Sequence, residues 1–169
     1  MKKDVRLYDL IFPIWLLIIF PITWIPVLAG NFLIDSIILL IYLHKRKIER
    51  KKEIWKKSIV KIFLFGLVGD IIGGLLMVGE TFIFDSIGLH QISWCITYNP
   101  WGNIFALLYT LLCMAVSSFI IYKLDKRFAF NKTSFDDNMK KKTALVFSVF
   151  TTPILFLLPT APFFSSLYY

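Results

Sequence analysis

The sequence predicts an all-α fold: a polytopic integral membrane helical bundle of about five transmembrane helices, N-terminus in and C-terminus out. Three observations predict it. First, the 169 residues are 57% hydrophobic and only 18% charged, where a soluble domain is about a quarter charged. Second, the apolar residues come in long uninterrupted runs, and the mean hydropathy of the chain is +0.70; the solvent for such runs is lipid. Third, all 19 Lys and Arg fall in three short blocks. These are Lys2, Lys3 and Arg6; then Lys45 to Lys61; then Lys123 to Lys142. Basic blocks between apolar runs mark the cytoplasmic loops of a membrane protein. The formal charge of +8 therefore reports topology. Nucleic acid is not expected as a partner, because no base-reading or stacking chemistry accompanies the charge.

The elements follow in order within a single transmembrane domain, 1–169. A span needs about 20 residues, and the first apolar stretch, 8–43, is long enough for two. It is expected to form a helical hairpin, 8–25 and 28–43, with Pro26 to Asn31 as the turn and Pro13 and Pro21 as kinks. A re-entrant hairpin is the alternative. The "MKK" start and Ala29 resemble a signal peptide, but the long proline-containing run with Asp9 argues against cleavage. Residues 44–58 form a basic cytoplasmic loop, where Glu49 and Glu53 among Lys and Arg suggest a surface helix. The third helix covers 59–79. An outer segment without lysine follows over 80–103, with Trp94, Tyr98 and Trp101 suited to an interface. The fourth helix covers 104–122 and the second cytoplasmic loop 123–142. The Asn131 glycosylation sequon falls in that loop and is not expected to be used. The fifth helix covers 143–164, interrupted by Pro153, Pro159 and Pro162.

One carboxylate stands out. Asp70 lies in "GLVGDIIGG", and Gly66, Gly69, Asp70, Gly73 and Met77 share one helix face. "GDIIG" is a GxxxG element, which lets two helix backbones approach closely. A charge facing lipid at mid-depth costs about 3 kcal/mol or more, so the acid belongs on this packing face. Depth adds Asp35. It stands nine residues before His44, and Asp70 nine residues after Lys61. At 1.5 Å per residue both lie about 13 Å in. Two carboxylates at one depth on consecutive helices can share a proton. Asn31 is on the Asp35 face one turn outward, and Thr110 belongs to a small polar stripe with Ala106, Cys113 and Ser117. The candidate substrate- or ion-binding residues are thus Asp70, Asp35, Asn31 and Thr110, with Gly66, Gly69 and Gly73 for helix packing. No catalytic residue, no metal ligand set and no cofactor is expected. Cys95 and Cys113 have neither metal-site nor CxxC spacing.

"GLVGD" (Gly66 to Asp70) resembles the GxGD motif of intramembrane aspartyl proteases of the presenilin and prepilin-peptidase type, with one residue more between the glycines. "AGNFLID" (Ala29 to Asp35) resembles the "GNLID" element of lipoprotein signal peptidase, again with one residue more. No other motif of either family is found, and no family is assigned.

The leading functional expectation is a substrate- or ion-binding, or translocating, membrane component with a polar centre at Asp70 and Asp35. The alternatives are a non-catalytic membrane partner (an immunity, regulatory or assembly factor) and an intramembrane aspartyl-type hydrolase. An enzyme is the less favoured reading. Expected partners are anionic lipid head groups at the basic loops and either further copies or a partner membrane subunit, with GxxxG as contact. Heavy use of Ile, Lys and Phe suggests a bacterial plasma membrane.

Overall fold

The computed structural model describes the backbone of residues 21–159 and the side chains of Ile25 and residues 28–159. The described chain is all-helical: α1 Pro21–Lys45, α2 Lys51–Ser86, α3 His90–Tyr98, α4 Ile104–Leu124 and α5 Asp137–Phe150. Three short elements accompany them, two between helices and one after α5. They are 3-10 turns at Pro100–Gly102 and Ile154–Leu157 and a π turn at Asp125–Ala129. Three helices are long and apolar enough to cross a membrane, over Leu28–Lys45, Lys51–Ser86 and Ile104–Ala129. This is a membrane-type helical bundle.

α2 is the central mast. At 36 residues it is about 54 Å long, well beyond the hydrocarbon thickness of about 30 Å. One stripe of it (Val60, Leu64, Val68, Ile71, Leu75) is exposed apolar surface of the kind lipid covers. The opposite stripe (Ile59, Ile62, Gly69, Gly73, Met77, Glu80) is buried, and it packs on α1, α3 and α4.

The chain turns by a recurring device. After α1, Ile48 N–H donates to Leu43 O at 3.2 Å and Lys47 N–H to His44 O at 3.0 Å, with Lys47 at φ +54°. After α2, Leu89 N–H donates to Phe84 O at 2.8 Å and Gly88 N–H to Asp85 O at 3.2 Å, with Gly88 at φ +82°. Both are Schellman closures, which satisfy the last carbonyls of a helix. α4 instead begins on a side-chain cap, Asn103 Oδ1 accepting from Phe105 N–H at 2.8 Å. Asp136 caps α5 in the same way through Met139 N–H.

Four expectations are corrected. The hairpin turn over Pro26 to Asn31 is absent, since α1 runs unbroken through those residues. In lipid every backbone group must be satisfied internally, so Gly30 and Asn31 stay helical. Pro21 opens the helix, where its missing N–H is harmless. Most of the expected 8–25 helix lies outside the described residues. The separate surface helix over 44–58 is also absent. Its residues are shared between the end of α1, a turn at 46–50 and the start of α2, because one Schellman turn suffices to reverse the chain. The segment 80–103 is mostly helical, α2 continuing to Ser86 and α3 occupying His90–Tyr98. Finally, the helix expected over 143–164 begins at Asp137 and ends at Phe150. Thr151 and Thr152 hydroxyls donate to Phe147 O and Ser148 O, and Pro153 disfavours helix in the residue before it.

Two buried clusters fill the bundle. One joins Leu39, Leu43, Ile54, Ile59 and Ile62 to Phe130, Phe135, Ala144 and Phe147. It brings both basic segments to one end, where Lys61 Nζ donates to Phe128 O at 3.0 Å. The other joins Met77, Cys95, Ile96, Ala106, Cys113, Met114 and Phe156 at the aromatic end. There Trp101 Nε1 donates to Leu157 O at 2.8 Å. The candidate site lies where the two clusters meet.

Candidate functional site

Between Ile62 and Met77 the inner face of α2 carries glycine rather than bulk. Two neighbours use that room. A Cβ built on Gly66 would stand 3.9 Å from Asp35 Oδ2 of α1. One built on Gly69 would stand 2.5 Å from Ile121 Cγ1 and 3.1 Å from Ser117 Oγ of α4. Gly73 meets Phe156 and Ser117 in the same way, at 2.8 and 3.3 Å. The glycine face is therefore covered by α1, α4 and the Ile154–Leu157 turn of the same chain. The GxxxG element makes its close contact inside the chain rather than with another subunit.

The close approach brings three carboxylates into one region. Asp35 of α1 is 5% exposed and Asp125, the first residue of the π turn, is 0% exposed. Asp70 of α2 is half-buried. Asp35 acts electrostatically on both Asp70 and Asp125. No partner neutralises them among the described residues. Both carboxylate oxygens of Asp125 and Oδ1 of Asp70 are buried without a hydrogen bond. The nearby cations are engaged elsewhere. Lys61 binds a carbonyl, and Lys123, Lys126 and Arg127 lie over the rings of Phe119, Tyr122 and Phe128. Long basic side chains at a helix end point to the interface in this way. Ser117, fully buried beside Gly69, also leaves its Oγ without a partner.

The other sequence candidates fall differently. Asn31 is half-buried on α1, one turn from Asp35. Thr110 is fully buried but gives its hydroxyl to Ala106 O of its own helix at 2.9 Å. It lies two turns from Ser117 toward the aromatic end and is not brought to the acids. His90 faces Asp85 at 3.1 Å, while Cys95 is buried in the apolar cluster. Cys95 and Cys113 are both free.

Two acids were missed by sequence reasoning. Asp125 sits between Lys123 and Lys126, which reads as loop. The signal was its register: Thr110, Cys113, Ser117, Ile121 and Asp125 continue one face at three- and four-residue steps, and all five are buried. Glu80 was assigned to the outer segment. It continues the face of Gly66, Gly69, Gly73 and Met77, and it is 3% exposed.

The arrangement can hold charge of one sign only. An uncompensated carboxylate at membrane mid-depth costs about 3 kcal/mol or more, so such a cluster is chemically suited to a proton or a cation. Among the described residues no three His, Cys, Asp or Glu side chains come close enough to share a metal ion. Spaced acids suit a proton, which needs one acceptor at a time. The π turn at Asp125 belongs to a class of helix irregularity frequent at functional sites. No protein family, no curated protein and no solved structure matches this chain.

Proposed function

We propose that this membrane protein is an ion-handling component, that its ion is the proton, and that Asp35, Asp70 and Asp125 are its polar centre. The carrying observation is Asp125: fully buried, with neither carboxylate oxygen bonded, and within electrostatic range of Asp35. Acids kept only to tie helices together would be bonded to hydroxyls or backbone, and these are not. This favours proton handling over the passive partner role. Under this reading the basic end is cytoplasmic, the membrane is a cell membrane, and anionic head groups are drawn to the basic end.

The test is infrared titration of carboxyl stretches in the reconstituted protein, with Asp35→Asn, Asp70→Asn and Asp125→Asn for assignment. A band that titrates, is lost in Asp125→Asn and moves its midpoint in Asp35→Asn supports a coupled proton site. Bands that ignore pH in every variant, with all variants folding normally, would leave the acids as structural and overturn the reading.

A further inference from the structure

Ten residues beyond Asp70, the same face of α2 presents Glu80. At 1.5 Å per residue it lies about 15 Å nearer the aromatic end. Glu80 is 3% exposed, and neither Oε1 nor Oε2 has a hydrogen-bond partner. Among the described residues its surroundings offer no Lys or Arg. No Lys or Arg occurs from Ile62 to Tyr122. From α4 it is faced by Tyr109 and Cys113, and the Tyr109 hydroxyl is already spent on Leu76 O at 3.0 Å. α3 contributes Cys95 to the same cluster. On its own helix Glu80 is in electrostatic contact with Asp85, which is exposed and stands 3.1 Å from His90.

Packing does not explain this residue. An alkyl side chain would fill the position without burying a charge. Its register does suggest a role. Asp35 lies by Gly66, and Asp125 one turn beyond the Ile121–Gly69 contact toward the basic end; Asp70 follows about one turn further along α2, Glu80 about 15 Å beyond it, and exposed Asp85 with His90 comes last, at the opposite end of the bundle. Ser117, buried with a free Oγ, lies against Gly69 and Gly73, beside the Asp70 level. Over Gly73 the interface is closed by Phe156 and Ser117, and Met77 and Cys113 are buried in the same stretch.

We propose that Glu80 is a second proton-binding site, and that it connects the aspartate centre to the aromatic end, so that the α2–α4 interface is a transmembrane proton path. This rests on the proton reading of the aspartates. In the step itself the O–H bond of one carboxyl breaks as that of the other forms. The proton passes through the Ser117 hydroxyl and transient waters, and nothing is oxidised or reduced.

The experiment is proton flux in proteoliposomes of the full chain, with a pH dye inside and a potassium diffusion potential as drive. Wild type, Glu80→Gln, Glu80→Asp and Asp125→Asn are compared, together with the infrared titration above. The expected result is flux in wild type, at least a tenfold loss in Glu80→Gln and partial recovery in Glu80→Asp, while the Asp125 band still titrates in Glu80→Gln. Glu80→Gln flux equal to wild type overturns the Glu80 proposal and leaves the aspartate centre standing. Absent wild-type flux also overturns the path, and the Asp125 band then decides separately on the centre. Should Glu80→Gln fail to fold, wild type is treated with dicyclohexylcarbodiimide, which attacks protonated carboxyls in apolar surroundings. Adduct at Glu80 rising in parallel with flux loss supports the site, and flux loss without adduct there overturns it.

Discussion

A Cβ on Gly69 would lie 2.5 Å from Ile121 Cγ1, closer than real atoms pack. Ile121 Cγ1 moves only with χ1, which is stiff for a β-branched residue in a helix, so this pair sets how near α2 and α4 approach. Gly69→Ala is therefore expected to destabilise the bundle by about 1–3 kcal/mol, the usual cost of overpacking. Gly74→Ala is the control, because nothing lies within 4 Å of its Cβ position. It should be neutral or gain up to about 1 kcal/mol from helix propensity. Thermal unfolding in detergent distinguishes them, and equal transitions would deny the close approach.

Lys47 is a left-handed residue without glycine's freedom, at φ +54°. A side chain in that conformation costs about 1–2 kcal/mol. Lys47→Gly should raise the unfolding temperature, by an amount reduced somewhat by the greater freedom of glycine in the unfolded chain. A lowered transition would argue against the Schellman closure of α1.

Cys95 lies outside the spans, 4% exposed, and burial raises its thiol pKa. Only the thiolate reacts with alkylating reagents. In a Cys113→Ser background, its alkylation near pH 8 should run at least about tenfold slower than that of a free thiol, and the rate curve should shift to higher pH. The sign for stability follows. The folded pKa is above the unfolded one, so the contribution is full below about 8.5 and is lost as pH rises through the folded value. Unfolding should restore ordinary reactivity. Fast labelling of the folded protein would place Cys95 outside the core.

Both basic segments share one end of the bundle, tied by Lys61 and Phe128. In a cysteine-free background, Arg50→Cys and Lys132→Cys should react with an impermeant maleimide from the same side of oriented vesicles. Gln91→Cys, on exposed α3, should react from the other. Labelling of the first two from opposite sides would contradict the arrangement. Asn131 should likewise carry no glycan in a secretory-pathway reporter.

What could be read of the site followed from periodicity. Asp70 among glycines reads as a packing-face acid because helical spacing is visible in one chain. The depth of Asp35 could be counted from the nearest basic residue. Asp125 was obscured by its neighbours. Lys123, Lys126 and Arg127 are charged, and charge reads as loop, yet these side chains bend over aromatic rings and let the helix face continue beneath them. Thr110 shows the opposite error: a polar residue on the right helix face, but satisfied by its own backbone and two turns away from the acids.

By itself the sequence determined the apolar, membrane-type character, the helical class and the grouping of the basic segments between apolar runs, because backbone groups in lipid are satisfied within helices and cations stay out of the apolar runs. It also showed α2's two faces, since a period of 3.6 residues separates glycine and acid from Val, Leu and Ile. Only the tertiary structure decided which helices cover the glycine face, that α1 does not turn at Pro26 to Asn31, that α5 stops at Phe150, and that Asp125 and Glu80 are buried. Each of these depends on contacts between residues far apart in the chain. A local pattern states which side of a helix is polar, and only the neighbour packed against it states whether that polarity is neutralised.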